Sequence, residues 1–423
     1  ETGEYYLKGG ADSPENFLGY WEFDQTFDNG GLATPGLIDG LHRFEPHVQD
    51  WNPGDPTWQG DKGRGIIGAL NYLSGQGMNS VYFLTFNVAG GDGEDTWPWT
   101  SPTERLRYDC SKLDQWEVVF THMDHVGIQL HVVTQETEND QNLDGGNLGL
   151  QRKLYYRELV ARFGHHHALI WNLGEENSNS NNQRKAYADY IRALDVYEHP
   201  ITVHTFFNAA PGYYDDLYGH PTFEATSLQG TGTNYNDWAV QIRELSASAG
   251  RKWAIFGDEQ GPRVDDNLNN LDTLREGSLW GNLMGGGAGV EWYYGYQGTF
   301  GDVQSEDWRD TEGLWEDTKH ALDFFQSHLP FEVMEPANNL VTGSNFCLAL
   351  PGEVYAVYLP GGGSTTLDLQ NNAGSFTVRW YNPREGGGLQ TGSVTTVNGP
   401  GTVSLGNPPS NSGQDWVVLV ERN

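Results

Sequence analysis

Over the first three quarters of the chain, short β-prone runs alternate with longer stretches whose apolar residues recur at helical spacing. Tyr5 to Lys8 opens the series. A long Gly/Pro/Trp/Asp-rich insertion follows, then a helical stretch around Ile66, Leu70 and Leu73. Ser80 to Phe86 is a second β-run. The next helix carries Leu113, Trp116, Phe120 and Met123 on one face, with Ser111 expected as its cap and Asp114 at the capping-box position. Ile128 to Val133 is a third run, and a helix over 150–163 should stop at Gly164. Ala168–Trp171, Ile201–His204, Phe223–Leu228, Lys252–Phe256 and Val290–Tyr294 continue the β-runs. Helices over 183–197, 238–246, 271–283 and 318–325 intervene. Eight β-runs, mostly each followed by a helix, predict an α/β fold, a (β/α)8 TIM barrel, over residues 1–332. A doubly wound sheet would have fewer strands and often a Gly-rich first turn, which this chain lacks.

Beyond residue 332 the helical period disappears. Val354–Tyr358, Phe376–Tyr381 and Trp416–Val420 are β-runs separated by Gly/Asn/Pro clusters such as Gly361–Gly363. Residues 333–423 therefore read as a small all-β sandwich, expected to pack against the barrel.

Composition narrows the function. Aromatics make up 13% of the 423 residues, far from the makeup of a disordered chain. The 57 acidic residues against 24 basic ones give a formal charge of −33, dispersed along the sequence. Such a surface repels phosphates and anionic lipids, so neither nucleic acid nor membrane is an expected partner. It suits a secreted, periplasmic or cell-surface protein working in salt, which screens charges within about 8 Å. No apolar run reaches the roughly 18 residues of a membrane span. The start, Glu1-Thr2-Gly3, has neither a basic nor an apolar leader region and reads as processed. Cys110 and Cys347 allow one bridge or two thiols.

In a (β/α)8 barrel the chemistry sits where strands end. After the first run come Asp12 and Glu15; after the third, Gln135 and Glu136; after the fourth, Glu175 and Glu176. His204 ends the fifth, Gln229 follows the sixth, Asp258-Glu259 the seventh, and Trp292 and Tyr294 lie in the eighth. Carboxylates, amides, a histidine and aromatics on one rim describe a sugar site. Glycoside hydrolysis needs two carboxyl groups flanking the scissile bond, one protonated for the leaving oxygen and one acting as nucleophile or base. Strands four and seven face each other across such a barrel, so Glu175 or Glu176 and Glu259 are the candidate pair. Trp97 and Trp99, in a loop after the second run, are candidate stacking surfaces, and His47 and Asp50 are further candidates.

Other motifs are weaker. Asp140–Gly145 matches the first half of a calcium loop, but position twelve is Gln151, and a turn explains the run as well; a structural calcium is the one cofactor it suggests. His165-His166-His167 has no carboxylate nearby at ligand spacing, so no metal is expected there. H-E-x-x-H, G-x-S-x-G and P-loop patterns are absent.

The stretches Lys8–Leu18, Trp171–Asn177 and Gly289–Tyr293 resemble a family of secreted glycoside hydrolases from marine, polysaccharide-degrading bacteria, with clan A-like, apiosidase-like barrels. Trp380–Arg384 and Asp415–Val417 resemble the small β-domain often labelled collagen-binding in those proteins. The resemblance implies a retaining hydrolase of an algal or other marine polysaccharide. It implies Glu259 as nucleophile and favours Glu176 over Glu175 as acid/base, with Glu175 contacting sugar hydroxyls or tuning its neighbour, His204 orienting Glu259 and Trp292 stacking the sugar. The usual clan A asparagine before the acid/base is replaced here by Glu175. The competing expectation is a non-catalytic carbohydrate-binding protein on a degenerate glycosidase barrel. His204 and Tyr293 could instead serve a lyase as base. Collagen degradation ranks last, because no protease machinery is visible.

Overall fold

The computed structural model describes residues 5–30, 40–230, 232, 235–261, 271–296 and 301–423; the reading of Glu1 to Gly3 lies outside them. Eight strands form one parallel sheet: β1 (Lys8–Ala11), β2 (Ser80–Leu84), β3 (Gln129–Val133), β4 (Leu169–Asn172), β5 (Ile201–Thr202), β6 (Gln229–Gly230), β7 (Phe256–Gln260) and β8 (Gly289–Trp292). Their order is β5-β4-β3-β2-β1-β8-β7-β6. A parallel bridge between His204 and Ser227, with Thr205 N donating to Ser227 O at 3.0 Å, joins the two ends. The sheet is thus a closed (β/α)8 barrel. Around it lie α1 (Arg64–Gly75), α2 (Cys110–Val126), α3 (Leu150–Phe163), α4 (Asn181–Leu194) and α5 (Tyr235–Ser248). The ring is completed by α6 (Leu271–Thr273), a π-helical segment Leu274–Leu279, α7 (Trp280–Met284) and α8 (Glu312–His328).

Several element boundaries differ from the expected ones. Asp109, not Ser111, caps α2, accepting from Lys112 N, while Ser111 Oγ donates to Asp24. The β-prone runs 223–228 and 252–256 meet mainly as an isolated bridge, Ala225 to Ala254, and the ladder begins a few residues later. Helix α4 ends at Leu194, where Asp195 turns back to accept from the Trp171 indole.

The barrel interior is polar beneath its mouth. Lys8 Nζ donates to Asp258 Oδ1 at 2.7 Å and Glu291 Oε2 at 3.1 Å. His131 Nδ1 lies 2.7 Å from the same Glu291 oxygen, and Ser80 Oγ donates to Glu291. All of these side chains are buried. Such a network specifies the packing of the strands, since removing one member would strand a buried charge.

The C-terminal region is antiparallel. A six-stranded sheet runs in the order β14-β13-β16-β11-β10-β9, built from β9 (Glu335–Pro336), β10 (Phe346–Leu350), β11 (Val354–Leu359), β13 (Gly374–Tyr381), β14 (Thr396–Gly399) and β16 (Trp416–Arg422). A two-stranded sheet, β12 (Thr366–Asp368) with β15 (Thr402–Ser404), covers one of its faces. Alternation along the strands divides the two faces. Val354, Ala356, Tyr358, Val417 and Leu419 join the barrel's core, whereas Tyr355, Val357, Val418 and Val420 form the sandwich core. Tyr358 stacks on Trp280 with ring centroids 5.0 Å apart. Both cysteines are free thiols.

Candidate active site

Strand β7 delivers two consecutive acids because it is bulged. Asp258 N and Glu259 N both donate to Leu228 O, at 3.0 and 3.2 Å, and the register against β8 slips between Gly257 and Gln260. A bulge re-aims a side chain. Asp258 is thereby held in the interior by Lys8, and Glu259 is free to face the mouth. After β4 the chain turns at Gly174, whose φ is +139°. A Cβ there would sit 2.8 Å from Asn177 Nδ2 and 3.0 Å from Gln135 O, so only glycine fits. Glu175 N then donates to Gln135 O at 2.8 Å, which seats the Glu175 side chain inside the mouth. Glu176 follows in a left-handed conformation, φ +38°, half-buried, its N–H aimed at His204 Nδ1.

One oxygen each of Glu15, Glu175 and Glu259 lie within 4.8 Å of one another. So do one each of Asp92, Glu136 and Glu175, which puts Glu175 at the centre of both groups. Glu136 accepts from Asn87 Nδ2 at 2.5 Å and from Asp92 N at 3.0 Å, and Tyr293 donates to Asp92 Oδ2 at 3.0 Å. By contrast both oxygens of Asp12 and of Glu15, with Glu175 Oε2 and Glu259 Oε2, are buried without a hydrogen-bond donor among the described residues. Glu15 and Glu175 are close enough to share a proton in a hydrogen bond that favours ionised Glu175.

Two carboxylates about 5 Å apart repel by roughly 3 kcal/mol at an effective dielectric of 20, so the group cannot all be ionised. Burial raises Glu175 to about 8 against a hydrogen bond from Glu15 that favours its ionised form, and repulsion from Asp92 and Glu176 adds to the rise. Burial likewise lifts Asp92 to about 7. Glu259, Glu15, Asp12 and Glu136 are also pushed well up, by burial first and by neighbouring carboxylates second. Gln229 lies beside both Glu259 and Glu176 and favours their ionised forms. Burial holds His204 down to about 3, so its ring is neutral. Because Nδ1 accepts from Glu176 N, the ring hydrogen is on Nε2, 3.5 Å from Glu259 Oε2.

The structure thus gathers Asp12, Glu15, Glu136, Glu175, His204 and Glu259, with Glu176 at the edge. Seven other expected contacts go elsewhere. Trp292 faces outward from β8, its indole donating to Thr318 on α8 at 2.8 Å, because strand alternation puts Glu291 and Tyr293 inside. Tyr294 pairs with Thr311 and packs on Trp315. Trp97 and Trp99 are fully buried, under Lys112 and against Phe86 and Tyr155, so neither offers a face to a sugar. Gln135 uses its amide on Asp140 and accepts from Arg152 at 2.6 Å. That contact and Ser178 also occupy both Asp140 oxygens, so the run 140–145 is a hydrogen-bonded turn rather than a calcium loop. His47 and Asp50 belong to a network with Arg309.

Asp92 escaped the sequence analysis, and Tyr293 entered it only beside His204, as a residue that could serve a lyase as base. Asp92 lies in a Gly-rich loop without periodicity, but Tyr293 was accessible through the inward parity of Glu291. Asp302, whose carboxylate accepts from Glu15 N at 3.1 Å, lies far along the loop after β8 and gave no signal.

A family model described as "Putative collagen-binding domain of a collagenase" matches residues 337–421. No curated protein matches the chain. Among solved structures, a glycoside hydrolase family 5 protein from Bacteroides vulgatus ATCC 8482 is 17% identical. It aligns over 84% of this chain and 85% of its own, with a TM-score of 0.66. A protein described as "Glycoside hydrolase" is 15% identical over 85% of this chain and 88% of its own, with a TM-score of 0.67. A GH27 β-L-arabinopyranosidase from Geobacillus stearothermophilus is 10% identical; it covers 99% of this chain and 97% of its own, with a TM-score of 0.51. At such identities the likeness establishes the fold alone, a (β/α)8 barrel followed by a β-domain.

Proposed function

We propose that the protein is a retaining glycoside hydrolase acting on a polysaccharide or its oligosaccharides, with Glu259 as nucleophile and Glu175 as acid/base. The observation that carries this reading is the approach of Glu175 and Glu259, from the ends of β4 and β7, to within 4.8 Å inside a buried mouth. Retaining enzymes hold their two carboxyl groups about 5–5.5 Å apart, whereas inverting ones leave roughly 6.5–9.5 Å for a water. Glu175 is preferred to Glu176 because Glu176 sits at the edge, beside Gln229. Burial favours a protonated Glu175, while the hydrogen bond from Gln229 works for ionised Glu259 against the burial that raises it.

In the first step Glu259 bonds to the anomeric carbon as the glycosidic C–O bond breaks, and Glu175 gives its proton to the leaving oxygen. In the second, ionised Glu175 takes a proton from water. The water oxygen bonds to the anomeric carbon and Glu259 leaves as carboxylate. Asp12, Glu15 and Glu136 offer acceptors to sugar hydroxyls. Tyr293, rather than Trp292, is the strand-eight aromatic at the mouth. The resemblance of the sequence favours an algal or other marine glycan. The acidic surface favours work outside the cell, in the periplasm or at its surface, away from nucleic acid and membranes. Among the described residues no helix is long and apolar enough to cross a membrane.

Reducing-end release across purified algal and plant polysaccharides, with three variants alongside, tests the reading. Glu259→Gln should abolish turnover and keep glycan binding. Glu175→Gln should slow polysaccharide cleavage by about 10²–10⁴ and recover on aryl glycosides whose leaving group needs no proton. Glu176→Gln should stay within about tenfold of the parent. If Glu176→Gln shows the larger loss, the acid/base assignment moves to Glu176. Glycan binding without turnover in any form would instead make the chain a carbohydrate-binding protein.

A further inference from the structure

We propose that Glu117, His165 and His166 form a binding site for a divalent transition metal ion, Zn²⁺ by ligand class, far from the sugar site. The carboxylate missing from the sequence around the three histidines comes from α2. His165 Nε2 lies 3.1 Å from Glu117 Oε1, and His166 Nε2 lies 3.3 Å from Glu117 Oε2. One ligand atom of each residue falls within 4.8 Å of the others. Zinc bonds of about 2.0–2.1 Å to nitrogen and oxygen place tetrahedral ligands about 3.3–3.4 Å apart, and each histidine comes that close to one oxygen of the Glu117 carboxylate, His165 to Oε1 and His166 to Oε2.

One further feature favours a metal over a plain ion pair. The other nitrogen of His166 is 2.7 Å from Asp124 Oδ2, the carboxylate–histidine arrangement that fixes a ligand ring's tautomer and orientation, and Nε2 makes a 3.3 Å hydrogen bond to Glu117 Oε2 that a bound ion would replace. His166 is buried and thus preorganised, while His165 and Glu117 are partly exposed and give the ion a path in. Two histidines and one glutamate suit zinc, with water in the fourth position. The site joins the middle of α2 to the turn between α3 and β4. That turn is at the N-terminal end of the strands, the barrel end associated with stability rather than catalysis.

The test uses the full chain without a histidine tag, stripped with EDTA and desalted, and titrated calorimetrically with ZnCl₂. One ion per chain should bind, with an X-ray absorption spectrum showing nitrogen and oxygen ligands and imidazole scattering. At a hundredfold excess over Kd, the unfolding midpoint should rise by about 3 °C. His165→Ala and Glu117→Gln should remove the midpoint shift, and Asp124→Asn should weaken binding about 10–100-fold. Far-UV spectra would verify that each variant folds. Absence of a one-to-one event overturns the site, and so does zinc binding that survives both ligand variants unchanged, which would place the ion elsewhere, such as among the carboxylates of the barrel mouth.

Discussion

A carboxyl group whose folded pKa lies above its unfolded value of about 4.3 holds a proton that the unfolded chain releases. Glu175, at about 8, and Asp92, at about 7, are such groups, and burial is the first cause for both. Glu15 and Asp12 are shifted in the same direction. Between roughly pH 4 and 8 the folded state binds more protons than the unfolded state, so stability is present at the acid end and falls as pH rises through the folded values. Urea unfolding between pH 5 and 8 should show this decline. Glu15→Gln, which keeps the volume and removes the charge, should flatten the decline and stabilise the protein at pH 8 by about 0.5–2 kcal/mol, with a loss of activity. The same titration of Glu175 sets the activity profile. A general acid must be protonated, so kcat/KM should fall as pH rises past about 8.

At the scale of elements, alternation in the sequence was enough to locate the barrel, because each β-run and each amphipathic helix carries its own period. What periodicity could not supply is register. Asp258 and Glu259 are adjacent, and a regular strand would point them to opposite faces; the bulge that turns both inward depends on Leu228 O, just before β6. The choice between Glu175 and Glu176 was equally hidden, since it depends on the turn at Gly174. Trp292 was misplaced for the opposite reason: its outward parity was legible from Glu291, but its aromatic character suggested a sugar platform. Gly174→Ala isolates the turn. The added methyl meets Asn177 Nδ2 and Gln135 O at a φ of +139°, so the segment must shift and carry Glu175 away from Glu259. The expected result is a folded protein with kcat reduced about a hundredfold, since misplacing a reacting group by about 1 Å costs that much. Unchanged kcat would mean that Glu175 is not the acid/base.

In the whole molecule, the β-domain shares a core with the barrel. The continuous apolar runs of β11 and β16 were legible as strands, and their lack of polar alternation has a physical cause: both faces are covered, one by the barrel helices and one by β12 and β15. The polar part of the contact was not legible, because Arg275 and Asp415 are distant in sequence. Arg275 reaches Asp415 Oδ2 and Oδ1 at 3.0 and 3.1 Å and Asp317 at 3.3 Å, all nearly buried. Arg384 and the Tyr358 hydroxyl complete the shell of Asp415. Removing one partner of such a network leaves uncompensated buried charge and costs about 3–5 kcal/mol, more than an exposed pair is worth. Calorimetry of the parent should therefore give one cooperative transition for barrel and β-domain together, and Arg275→Ala should lower its midpoint or split it in two. The loss should depend on pH. Burial already lifts Asp317 to about 7 beside the guanidinium. Without that cation it rises further, so at pH 5 the group stays neutral in the variant, while at pH 8 it must ionise or hold a proton against the solvent. Arg275→Ala should accordingly cost more stability at pH 8 than at pH 5, whereas equal losses at the two values would show that Arg275 acts through packing alone.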